Sequence, residues 1–300
     1  MQDQNRAHPW ADIGAQISTA TKIPFTVNRA SPIGGGCINQ AHLIEGNGPR
    51  FFVKLNDTGS LTMFEAEAAS LREIQNSGTL RVPSPLCWGR NDSRSWLVLE
   101  YIEMVPGSER GAAALGSGLA AMHKAVSRTF GWKRENTIGA TPQINTLSSD
   151  WLQFWREHRL GYQLGLARAN GHTGKLQTLG EHLMVHLDAF FPGQQPTASL
   201  LHGDLWSGNY SFDASGQPVV FDPATYYGDR ETDIAMTELF GGFSTAFYAA
   251  YREAYPLDAG YGVRKTLYNL YHILNHLNLF GGGYRHQAEQ MMSRLLAEIR

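Results

Sequence analysis

Residues 200–212, LLHGDLWSGNYSF, set a His, an Asp, a Trp, a Ser and an Asn between apolar runs. A polar group beside a core must find a partner or lose roughly 1–3 kcal/mol, so packing alone does not account for this choice. Within the segment, His202 and Asp204 are separated by one residue, and Asp204 and Asn209 by four. A carboxylate able to take a proton and a carboxamide able to hold a cation thus share one loop, and the rest of the chain has to say what they act on.

Composition narrows the answer. With 300 residues, 42% hydrophobic, 11% aromatic and 17% charged, the chain suits one large domain or two lobes around a cleft. A formal charge of −2, from 25 basic and 27 acidic residues without long runs, offers no face for nucleic acid or anionic lipid. The opening MQDQNRAHPWADIGAQI lacks the basic and apolar regions of an export signal. No apolar run approaches the ~20 residues that span a bilayer. Cys37 and Cys87 stand far apart with no second pair, which suggests neither a disulfide framework nor a zinc site. The expectation is a cytoplasmic protein, a monomer or weak homodimer, with no nucleic-acid or membrane partner.

The texture changes along the chain. Residues 10–20 have helical spacing, and 25–55 hold FTVNRASPI, CINQAHLI and RFFVKL, short β-rich runs that predict an antiparallel meander. Phe64, Ala68, Leu71 and Ile74 then recur at helical period until Ser77-Gly78. RVPSPLCWG and SWLVLEYI predict two more strands. Beyond Tyr101 helices dominate: one carries Leu115, Leu119, Met122 and Val126 on a single stripe, two cover 149–169 and 175–190, and others run from 229 to the end. Two short strands, YSF and PVVF, interrupt them around the turn DASGQ. The pattern predicts an α+β chain of two lobes, β-rich at 1–102 and mainly helical at 103–300, joined near EMVPGS at 103–108.

Set in this layout, His202-x-Asp204-x4-Asn209 matches a kinase-type catalytic loop, in which the Asp accepts the proton of an attacking hydroxyl and the Asn holds magnesium. The strand PVVF ends in Asp222, and the hairpin returns this second hard oxygen ligand toward Asn209. Because DPA stands where protein kinases carry Asp-Phe-Gly, no activation switch of that type is expected. Lys54 lies on the strand face opposite Phe51, Val53 and Leu55. At about 100° per residue from Phe64, Glu67 falls near −60°, between Leu71 and Ile74 and inside the apolar stripe. An inward carboxylate calls for a cation, and Lys54 on the adjacent strand supplies the pair that orients nucleotide phosphates in kinases. Gly34, Gly35 and Gly36 let backbone amides approach phosphate oxygens, although their spacing is neither a Walker loop nor a dinucleotide fingerprint. Glu100, Tyr101 and Ile102 end the last strand at the linker, where backbone groups would meet an adenine.

LLHGDLWSGN at 200–209, FDPATYYGDRETDIAM at 221–236, GGGCIN at 34–39, MFEAEAASL at 63–71 and LYNLYHILNHLNLFGGGY at 267–284 together give the chain a likeness that covers nearly all of it. It resembles the fructosamine kinases, or ketosamine 3-kinases, of the aminoglycoside and choline kinase-like group. The resemblance implies a bilobal protein-kinase-like fold, with ATP and Mg2+ as cofactors. It implies phosphorylation of the third-carbon hydroxyl of ketosamines, small or protein-bound, after which the unstable adduct leaves the amine. By the same match Asp204 is the catalytic base and Asn209 and Asp222 are the metal ligands, while Asp233 braces the loop and His202 is structural. Trp206, two residues after the base, is expected at the acceptor side as a flat platform for substrate. His123 is expected as a satisfied core or rim histidine, and Cys37 as an exposed, oxidisable thiol. Two rival readings stand beside this one. A kinase for an aminoglycoside or amino alcohol would need several acceptor-side carboxylates, where the C-terminal helices offer Asn, His and Tyr. A non-catalytic pseudokinase would have lost one of Lys54, Asp204, Asn209 or Asp222, and all are present.

Overall fold

A computed structural model describes residues 9–34, 38–193 and 195–299, so Gly35, Gly36 and Cys37 of the glycine-rich turn lie outside the described residues. Helix α1 (Trp10–Thr21) leads into β1 (Arg29–Ile33), β2 (Gln40–Glu45), β3 (Phe51–Asn56), α2 (Leu61–Ser77), β4 (Pro85–Arg90) and β5 (Ser95–Glu100). These strands form one antiparallel sheet in the order β1-β2-β3-β5-β4. Alternation along β3 sends Phe51, Val53 and Leu55 into a core with Ile13 and Ile17 of α1 and Trp96 and Val98 of β5. Lys54, paired in register with Leu97, belongs to the other face, where Leu97 and Leu99 pack on Phe64, Ala68, Leu71 and Ile74 of α2. Gly78 stops α2 in a left-handed conformation, φ 66°, and its amide donates to the Gln75 carbonyl.

The chain continues through β6 (Met104–Val105), α3 (Glu109–His123), the hairpin β7 (Asn136–Ile138) and β8 (Thr141–Gln143), α4 (Trp151–Trp155), α5 (Tyr162–Ala169) and α6 (Lys175–Val185). Strands β9 (Ser199–Leu201), β10 (Tyr210–Asp213), β11 (Pro218–Val220) and β12 (Tyr226–Gly228) precede helices α7 (Glu231–Leu239), α8 (Thr245–Ala254), α9 (Tyr261–Phe280) and α10 (Tyr284–Glu298). The main helical core gathers Trp151, Phe154 and Trp155 against Tyr268, Tyr271, Leu274 and Leu277 of α9. A second core runs from Leu97, Leu99 and α2 to Leu115, Leu119 and Met122 of α3 and to Leu200 and Leu205. The sheet and the helical body are therefore joined by buried apolar side chains as well as by the linker. Among the described residues no helix is long and apolar enough to cross a membrane.

Four expectations need correction. Val126 does not share the stripe of Leu115, Leu119 and Met122: α3 ends at His123, and Val126, 56% exposed, bridges to Ser199 instead. The single helix expected over 149–169 is interrupted by a π-helical segment, Arg156–Gly161. The one expected over 175–190 stops at Val185 and is followed by a short 3-10 turn, Leu187–Phe190. The segment EMVPGS is only partly a connection, because Met104 and Val105 pair with Asp213 and Phe212 along the edge of β10. Strands β7, β8, β9 and β12 were not expected, since three residues each are too few to show a period.

Candidate active site

Loop 202–209 hangs between β9 and β10, and its shape is set from below by one buried carboxylate. Asp233, in the first turns of α7, accepts from the His202 amide at 2.7 Å, the Gly203 amide at 2.8 Å and His123 Nε2 at 3.1 Å. Burial alone would raise its pKa, but His123, His202 and the Gly203 amide outweigh that and hold it below the usual carboxylate range. With His123 Nε2 donating, its Nδ1 accepts from the Tyr251 hydroxyl at 2.8 Å, so His123 is a core histidine that extends the brace.

The loop is also stitched to the segment that follows β11, residues 221–224. The Ala224 amide donates to the His202 carbonyl at 2.9 Å, and the Phe221 amide to the Asn209 carbonyl at 3.0 Å. His202 Nδ1 accepts from the Asp204 amide at 3.3 Å, which leaves Nε2 to donate to the Phe221 carbonyl at 3.0 Å. Burial depresses the His202 pKa and keeps the ring neutral for that role. Gly203, at φ 84°, permits the approach: a Cβ there would lie 2.0 Å from the Ala224 carbonyl oxygen.

These bonds bring Asp204, Asn209 and Asp222 together. Asn209 is buried and its Nδ2 donates to the Asp204 backbone carbonyl at 2.8 Å, which leaves its Oδ1 for another partner. Asp222 adopts φ 57°, a left-handed conformation unusual for a residue with a side chain, though Asp tolerates it better than most. Its carboxylate meets Lys54 Nζ at 2.5 Å, and Glu67 meets the same ammonium at 2.5 Å. Lys54 is 6% exposed, and burial would lower its pKa, but Asp222 and Glu67 outweigh this and hold the charge. Burial first, then the neighbouring Asp222 and Asp233, push Asp204 up to about 7.

All of these side chains line one cleft of about 1190 Å³. Gly34 of the glycine-rich turn and Glu100, Tyr101 and Ile102 of the linker line it too. The Glu100 carboxylate itself points elsewhere, to Arg81 at 2.8 Å and the Ser84 amide at 3.2 Å. Arg81 also binds Asp213 of β10, and its carbonyl accepts from the Val220 amide at 2.9 Å, so it ties the linker end of the sheet to the hairpin. Sequence reasoning missed this residue, for which no local pattern exists. Trp206 is 39% exposed and on the cleft wall, while Leu205 beside it is fully buried and anchors the loop. A Cβ on Gly208 would lie 2.2 Å from the Trp206 ring, so the indole lies over that glycine. The far wall consists of the β7–β8 hairpin, with Asn136, Thr137 and Gly139, and of α9, with His272, Asn275 and His276. A Cβ at Gly139, on the hairpin turn, would stand 3.1 Å from Leu279 and 3.2 Å from Ile38. Gly139 at the turn is a local mark that this hairpin leaves in the sequence, since its strands are too short to show a period.

A five-stranded sheet over a helical body, with a buried Lys–Glu pair and two further Asp side chains, Asp204 and Asp222, lining one cleft, defines a protein-kinase-like fold, the α+β bilobal class that includes choline and aminoglycoside kinases. Residues 9–298 match the fructosamine kinase family, and the chain belongs to it. It is 47% identical to a Synechocystis protein provisionally named a ketoamine kinase, over 97% of this chain and 98% of that one. It is 43% identical to the chloroplastic protein-ribulosamine 3-kinase of Arabidopsis thaliana, over 91% of this chain and 84% of that one. A crystal structure from Haemophilus somnus, provisionally named a fructosamine-3-kinase, matches with a TM-score of 0.88 at 27% identity, covering 96% of this chain and 97% of its own.

Proposed function

We propose that this protein transfers the γ-phosphate of ATP to the third-carbon hydroxyl of a ketosamine, a sugar joined to an amine either free or on a protein. The observation that carries the reading is the placement of Asp204 beside Asn209 and in one cleft with Asp222 and the Lys54–Glu67 pair. Asn209 Oδ1 and the Asp222 carboxylate, which is 46% exposed, form a hard oxygen donor set that fits magnesium. Magnesium held by these two residues would offset the charge of the phosphates. Lys54, fixed by its two carboxylates, orients the phosphates, and the backbone at Glu100–Ile102 receives the adenine. Asp204 accepts the proton of the acceptor hydroxyl as its oxygen bonds to the γ-phosphorus and the bond to the ADP oxygen breaks. The α9 wall, with Asn and His in place of carboxylates, supports a sugar over a polycationic aminoglycoside.

ATP consumption against a panel of synthetic ketosamines, free hexoses and aminoglycosides, with mass-spectrometric mapping of the product, tests the proposal. Transfer to the third-carbon hydroxyl of a ketosamine is expected, with free hexoses and aminoglycosides much slower. Preference for an aminoglycoside would overturn it.

Trp206, exposed on the cleft wall, is the platform on which the sugar rests in this reading. Trp206→Ala is expected to raise the ketosamine KM roughly tenfold while leaving the ATP KM and Tm nearly unchanged, because only uniform acceptor binding is lost. Equal weakening for ATP, or a collapse in Tm, would make the indole a structural wedge instead. For the ion pair, Lys54→Ala and Glu67→Ala should each raise the ATP KM, with the double variant little worse than either alone. Additive losses in that cycle would show that the two side chains act separately.

A further inference from the structure

The wall built by α7 and α9 carries aromatic rings that the phosphotransfer steps do not use. Phe240 follows the last residue of α7 and Phe280 is the last residue of α9, and both line the cleft while remaining 46% and 58% exposed. The His276 ring lies between them, with centroids 5.2 Å from Phe240 and 5.6 Å from Phe280, and 5.2 Å from Tyr284. Clustered aromatic surface left in water at the edge of a cleft marks a contact site.

This wall lacks the carboxylates that a polycation needs, but its chemistry suits a single cation. Aromatic faces are negative, and the carbonyl ends of helices carry partial negative charge. Two helices, α7 and α9, end at these rings. His276 Nδ1 donates to the His272 carbonyl at 2.7 Å, and in that tautomer Nε2 is an acceptor. The carboxylates that line the cleft, Glu67, Glu100, Glu103, Asp204 and Asp222, belong to other elements, so this wall offers a cation dipoles and π-faces but no formal ion pair.

We propose that Phe240, His276 and Phe280 hold the protonated amine of the acceptor, a secondary alkylammonium with a sugar on one side and an alkyl chain on the other. The inference rests on the reading of the cleft as a ketosamine kinase and adds how a glycated amine is told from a sugar without one. Both carry the hydroxyls, but only the glycated amine carries the cation. The exposure of the two phenyl rings leaves room for the alkyl chain to continue outward into solvent.

The test compares the wild type with a Phe240→Leu/Phe280→Leu double variant on two acceptors with the same sugar and chain: 1-butylamino-1-deoxyfructose, and the neutral ether 1-O-butylfructose. Leucine keeps apolar bulk at both positions and removes the π-faces. The wild type is expected to favour the amine over the ether by about tenfold or more in kcat/KM, since each ring contributes roughly threefold to tenfold. In the variant the ratio should fall to about threefold or less, through the KM of the amine, with the ATP KM and Tm unchanged. Equal use of amine and ether by the wild type, or an unchanged ratio in the variant, overturns this inference and leaves the kinase reading standing. Failure of the wild type to phosphorylate either acceptor overturns the kinase reading and the inference with it.

Discussion

Asp204→Asn is expected to lower kcat by roughly 100-fold or more while ATP still binds, and at the same time to make the metal-free protein more stable at pH 8. The two effects share a cause. Asp204 is half-buried and crowded by Asp222 and Asp233, and its pKa is pushed up to about 7, with burial the first cause. A carboxyl of raised pKa is favoured in its protonated form by the fold, whereas the unfolded chain releases the proton near 3.9. Stability is therefore lost as pH climbs from about 4 to about 7, and the whole penalty applies above that. The neutral carboxamide removes it. The variant should melt about 3 °C or more above the wild type at pH 8, with the difference closing near pH 4. Near-wild-type turnover at equal Tm would remove Asp204 from the mechanism.

Asp222→Ala is expected to abolish the magnesium-dependent part of ATP binding. In the wild type, ATP at a hundredfold excess over its Kd stabilises the fold by about 2.7 kcal/mol, and a chelator should remove most of that thermal shift. In the variant the shift should be small with or without the metal. Because Asp222 sits at φ 57°, alanine also strains the backbone, and Asp222→Asn, which tolerates that conformation, separates the two effects. An ATP-induced shift that survives the chelator and is the same in both variants would show that no metal acts through this residue.

What the sequence disclosed, and what it hid, divides by the range over which each signal acts. Lys54 and Glu67 were legible because strand and helix periods state which way a side chain faces, and an inward carboxylate needs a cation. That Asn209 and Asp222 come to one end of a strand pair was legible because a tight hairpin fixes where its ends meet. That Lys54 also binds Asp222, 168 residues away, is a product of the closed fold and leaves no mark in either local pattern. The same holds for Arg81, whose partners Glu100 and Asp213 come from different sheets. Helix stripes misled where the chain ended early: Val126 has the right spacing after Met122, but α3 stops at His123, whose side chain turns inward to Asp233. The far wall of the cleft was visible only as residue types, Asn, His and Tyr on the C-terminal helices, until α9 was set against the β7–β8 hairpin.

Gly139 is where a side chain on that hairpin would press on both Leu279 of α9 and Ile38 ahead of β2, two residues that line the cleft. The missing side chain thus lets the hairpin sit close to two walls of the cleft at once. Any side chain there would crowd both neighbours together, on a backbone at φ 62° that already favours glycine. In the proposed reading, the nucleotide side and the acceptor side of the cleft would therefore share one tight joint at Gly139.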